Sequence, residues 1–75
     1  MKRGERRRAF EGAILGLLRE SIEGVPVSLE QTGPGRWRAE AGRHKANLFL
    51  DGTVAATTVE FERWLQERLA QAVRS

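Results

Sequence analysis

Between residues 9 and 23, apolar side chains recur every three or four positions: Phe10, Ala13, Ile14, Leu17, Leu18 and Ile22. That spacing follows the 3.6-residue turn of an α-helix and predicts one helix over the stretch. Gly24 stands where a left-handed residue closes a helix, and Pro26 follows two positions on, where it cannot continue one. From residue 25 the period drops to two. "VPVSLEQ" sets Val25, Val27 and Leu29 against Pro26, Ser28 and Glu30, and "RWRAEA" sets Trp37, Ala39 and Ala41 against Arg36, Arg38 and Glu40. Each alternation predicts a strand with one buried face. "TGPGR" between them reads as a turn, and after the break at "GRH" residues 45–50 are expected to form a third strand.

Asp51-Gly52 predicts a two-residue hairpin turn, which places Leu50 opposite Thr53, Phe49 opposite Val54 and Leu48 opposite Ala55. In that register Asn47, Phe49 and Val54 share one face, while Leu48, Leu50 and Ala55 share the other. A short fourth strand over residues 53–56 follows. Thr57 with Glu60 three positions later has the form of a capping box. The helix it opens is expected to reach about residue 73, with Phe61, Leu65, Leu69 and Ala72 as its buried stripe.

The predicted fold class is α+β: a helix, an antiparallel meander of three or four strands and a second helix, with both helices packed on one face. Residues 9–75 make a single domain, and residues 1–8 a basic N-terminal arm or frayed first turn. A chain of 75 residues holds only a small core. It has no cysteine, so disulfides and thiolate metal sites are excluded. No apolar run approaches the ~20 residues of a membrane span, and a cytoplasmic protein is expected.

Little in the sequence points to catalysis. His44 is the only histidine and lies in the cationic stretch "GRHK", where a solvated turn residue is expected. Glu60 and Glu62 stand two apart on a helix and point to different faces, which does not suit a shared metal ion. No phosphate-binding loop, dinucleotide fingerprint or nucleophile motif occurs. A protein without catalytic residues, cofactor or metal is expected, and no small-molecule substrate is indicated.

Charge adds more. The net charge of +3 is gathered into two clusters. The first holds Lys2, Arg3, Arg6, Arg7 and Arg8; the second holds Arg36, Arg38, Arg43 and Lys45. Such clusters neutralise phosphates in a salt-sensitive way. On the predicted sheet, Arg36, Arg38, Lys45 and Asn47 surround Phe49, an aromatic able to stack an unpaired base. The competing use of that face is a homodimer interface of Asn47, Phe49 and Val54, because a strand apolar on both sides needs a second cover. In the first helix Ala9, Gly12, Ala13 and Gly16 form a stripe of small residues, which either admits another helix closely or consists of tolerated glycines. The expectation is a small non-enzymatic cytoplasmic binding or accessory protein that acts as a homodimer. The alternative is a nucleic-acid-binding protein using the basic N-terminus and the basic outer face of the sheet.

The order helix, three strands, helix is similar to that of the double-stranded RNA-binding domain, and "TGPGRW" resembles its Gly-Pro element between the first two strands. The likeness spans nearly the whole chain in element order. That family opens its second helix with a lysine cluster that grips phosphates. Here "TTVEFER" carries Glu60 and Glu62 at that place, so the resemblance implies the fold and not the function.

Overall fold

The computed structural model describes residues 3–74, with the side chains of residues 4–5 and 7–71. Lys2 lies outside the described residues, and so do the side chains of Arg3, Arg6 and Ala72. The first helix, α1, spans Arg3–Gly16 and passes into a tight 3₁₀ turn at Leu17–Arg19. A small ribbon of β1 (Ser21–Ile22) and β2 (Val25–Pro26) follows, then β3 (Ser28–Gly33), β4 (Arg36–Ala41), β5 (His44–Phe49), β6 (Val54–Ala56) and α2 (Val59–Arg74). Strands β3 to β6 form one four-stranded antiparallel sheet in chain order. The α+β class and the meander between two helices are as the periodicity predicts.

The core explains why both helices share one face. Alternation turns Trp37, Ala39 and Ala41 of β4 and Ala46 and Leu48 of β5 inward, where they join Phe10, Ile14 and Leu17 from the first helix and Phe61, Leu65 and Leu69 from α2. The other face of the sheet is left open. Arg68 strengthens the seam between the helical segments: its guanidinium lies 4.0 Å over the Trp64 ring, and Nη2 is 3.5 Å from Glu20 Oε2.

Four local expectations are corrected. The first helix starts earlier and stops earlier than its apolar spacing suggests. Residues 3–8 are helical, and regular α-geometry ends at Gly16. The tight turn buries Leu17 and leaves Leu18 exposed. Gly24 is not a helix cap. It shares the β1–β2 turn with Glu23, and both have positive φ, 78° and 54°, the geometry of a mirror-image hairpin turn.

The β5–β6 connection is one residue longer than Asp51-Gly52 predicts. Phe49 N–H donates to Thr53 O at 3.1 Å and Gly52 N–H to Phe49 O at 3.0 Å, so Leu50, Asp51 and Gly52 form a three-residue loop. The Asp51 side chain supports it, with Oδ1 accepting Thr53 N–H at 2.8 Å. The register becomes Leu48 opposite Val54 and Asn47 opposite Ala55. A shift of one residue exchanges the faces of a strand. Val54 therefore joins the core at 9% exposure and does not share the outer face with Phe49.

The second helix is capped by Thr58 and not Thr57. Thr58 Oγ1 accepts Phe61 N–H at 3.3 Å, three residues into the chain's turn. Thr57 instead extends the sheet: its N–H donates to Lys45 O at 2.8 Å, and its Oγ1 accepts Lys45 N–H at 3.1 Å.

Candidate functional site: the open sheet face and its cleft

The open face is polar and mixed in charge. Arg36 stands opposite Phe49, Arg38 opposite Asn47, and Glu40 opposite Lys45. On the other side of β4, Glu30 stands opposite Arg38 and Ser28 opposite Glu40. Arg38 and Lys45 thus each have an acidic cross-strand neighbour, whereas the cross-strand neighbours of Arg36 are Gly33 and Phe49. Positive charge is least compensated within the face at the Arg36 end.

At that end a cleft of about 440 Å³ is lined by Arg7, Pro34, Gly35, Arg36, Phe49, Leu50 and Asp51. Each lining residue has a traceable reason to be there. The Phe10 ring occupies the space beside Gly52: a Cβ on that glycine would lie 2.8 Å from Phe10 Cζ. This docks α1 on the β5–β6 loop, and Arg7, three residues earlier on the same helix face, reaches the cleft. Leu50 N–H donates to Gly35 O at 3.2 Å, which ties the β5–β6 loop to the Pro34-Gly35 turn. Arg36 lies close over the backbone of β3, since a Cβ on Gly33 would come within 3.1 Å of its Nη2. Phe49 is half-buried and supplies the aromatic surface. Hydrogen bonds from the Thr53 side chain and its backbone N–H hold the Asp51 carboxyl below the usual carboxylate range, so it is ionised at neutral pH.

The cleft therefore joins the two basic clusters of the sequence through one member of each, Arg7 and Arg36. Among the described side chains, the other predicted cations do not gather there. Arg8 is exposed on α1, and Arg38 and Lys45 lie further along the open face. Arg43 is in the β4–β5 turn at the far end of the sheet, with Nη2 3.7 Å from Glu23 Oε1. Of the residues expected to form a dimer interface, Asn47 is exposed, Phe49 half-buried and Val54 buried with the core. They do not make one continuous apolar patch.

His44 overturns its expectation as a solvated turn residue. It is 1% exposed. Nε2 lies 3.2 Å from Glu23 Oε1 and Nδ1 2.7 Å from Thr58 Oγ1, and the ring sits 5.4 Å from that of Phe61. A carboxylate can only accept, so in the neutral ring Nε2–H donates to Glu23 and Nδ1 accepts from the Thr58 hydroxyl. The turn is only Gly42-Arg43, and Ala41 pairs with His44 directly. The missed signal was the alternation His44, Ala46, Leu48, which carries the histidine inward.

Among the described residues no group of three histidine or acidic side chains is placed to hold a metal ion, and no helix is long and apolar enough to cross a membrane. No protein-family model, curated protein or solved structure matches the chain. The first turn of α2 presents Glu60 and Glu62, and the chain adds β6 and the β1–β2 ribbon to the three strands of the double-stranded RNA-binding pattern.

Proposed function

We propose that this chain is a small non-enzymatic protein that binds single-stranded nucleic acid at the Arg36 end of its open sheet face. The observation that carries this reading is that Arg7 and Arg36, from separate elements, line the same cleft as the half-buried Phe49. A guanidinium presents paired donors that match phosphate oxygens. An aromatic beside it accepts an unpaired base, at about 1–3 kcal/mol per stacked base. A base stacked within a duplex has no free face to offer, which favours a single strand. A cytoplasmic location is compatible with such a ligand.

A labelled random single-stranded oligonucleotide tests this by fluorescence anisotropy. Binding is expected at about 50 mM salt and weakens as salt rises, with a log–log slope near −1.4 for about two neutralised phosphates. Arg36→Gln should make that slope shallower by about 0.7. No binding at low salt would end the reading.

Self-association is a second reading, and the observation favouring it lies on α1 and its following turn, away from the sheet. Leu15 and Leu18 are 48% and 55% exposed, and nothing lies within 4 Å of a Cβ placed on Gly12 or Gly16. Light scattering decides it: the reading requires twice the chain mass, reduced to one by Leu15→Lys, and a wild-type monomer at micromolar concentration removes it.

A further inference from the structure

We infer that the cleft is a seat for one nucleoside monophosphate, the phosphorylated end of a single strand or the free nucleotide, with the base on Phe49 and the phosphate between Arg7 and Arg36. This rests on the nucleic-acid reading and narrows it. Three observations point to an end-on site and away from a track along the sheet.

The first is size. A cleft of about 440 Å³ is at the small end of ligand sites, which run from about 300 to 1,000 Å³ and bury most of one small ligand. It has room for a single nucleotide unit. The second is charge along the path. A backbone leaving the cleft across β4 and β5 meets Glu30 opposite Arg38 and Glu40 opposite Lys45. Each cation there has a carboxylate for a neighbour, which is poor support for a continuous run of phosphates. The third is charge within the cleft. Arg7 and Arg36 together supply two guanidinium groups, and the ionised Asp51 carboxylate in the same lining offsets one of their charges. A terminal phosphomonoester carries about −1.5 to −2 at neutral pH and three acceptor oxygens, more than the single charge of an internal diester. The two guanidiniums supply paired donors for the monoester's three oxygens, and Phe49, Leu50 and Pro34 leave an apolar lining for the base.

The cleft also contains its own positioning device. Arg36 packs against β3 at Gly33, where a Cβ would stand 3.1 Å from Nη2. The conflict involves the far end of a flexible side chain. Gly33→Ala is therefore expected to shift the guanidinium by a few tenths of an ångström while the strand persists.

The test uses the full chain and one oligonucleotide sequence with and without a terminal phosphate, with adenosine monophosphate and inorganic phosphate as competitors. The phosphorylated strand should bind about tenfold more tightly than its unphosphorylated twin, as expected of a charge-assisted paired contact. Adenosine monophosphate should displace it, and inorganic phosphate at the same concentration should not. Phe49→Leu should weaken the mononucleotide by about tenfold through lost stacking. Gly33→Ala and Arg36→Gln should each reduce the preference for the terminal phosphate, with thermal melting confirming a folded chain. Displacement by the mononucleotide without any preference between the two strands would assign the seat to the free nucleotide. Equal binding of the two strands with no competition by the mononucleotide would overturn the seat and leave the nucleic-acid reading standing. No oligonucleotide binding at low salt would remove both.

Discussion

Gly52 shows how one residue positions a distant one. Its φ of 91° lies in the region that side chains resist, and the Phe10 ring fills the place a Cβ would take. Gly52→Ala should cost about 1–3 kcal/mol, since backbone strain and overpacking both oppose it. Chemical denaturation measures this, and an unchanged midpoint would contradict the packing described. The same variant should weaken oligonucleotide binding, because Phe10 anchors the helix that carries Arg7. At this scale the sequence was partly legible. Asp51-Gly52 announced a turn, and a turn is there. Its length was not legible, because the choice between two and three loop residues depends on how Asp51 bonds Thr53 and on Phe10 packing from a remote helix. That one-residue difference moved Val54 from the outer face to the core.

Among the elements, alternation gave β4 and β5 and their inward faces, since a period of two is a local property of the chain, whereas the strand expected over residues 25–31 divides at Val27, with Val25 exposed in the β1–β2 ribbon and β3 beginning at Ser28. The ends of the helices were harder to read. Thr57 and Thr58 both precede α2, and the motif with Glu60 favoured Thr57. The sheet decided otherwise: Lys45 pairs with Thr57 on both its N–H and C=O, which leaves Thr58 to cap. Thr58 Oγ1 serves both Phe61 N–H and His44 Nδ1, so its loss leaves a buried histidine short of a partner. Thr58→Ala should therefore destabilise the fold by about 2 kcal/mol, at the upper end for a helix cap. Thr57→Ala, at an exposed sheet edge, should cost clearly less. Denaturant midpoints for the two variants provide the comparison, and a larger loss at Thr57 would sink the assignment. His44 belongs to the same lesson. Its partners Glu23 and Thr58 lie 21 and 14 residues away. Only the register of a two-residue turn, invisible in composition, brings them together.

In the whole molecule, the two helices cover one face of the meander and leave the other to solvent. One member of each basic cluster, Arg7 and Arg36, lines one corner of that open face because Phe10 docks α1 on the β5–β6 loop. The sequence did mark Arg7, Arg36 and Phe49 as chemistry-bearing, but it spread the positive surface over Arg38, Arg43 and Lys45 as well. Among the described side chains, cross-strand pairing with Glu30 and Glu40 and the position of Arg43 beside Glu23 leave Arg36 as the open-face cation without an acidic cross-strand neighbour, which is why the proposed site is the cleft. Backbone amide shifts in an NMR titration with a single-stranded oligonucleotide test this most directly. Shifts concentrated at residues 33–36 and 49–52, with Arg7 moving beside them, are the predicted result. Shifts centred on residues 12–18 of the first helix and its following turn, or a bound strand that leaves the cleft residues unmoved, would contradict it.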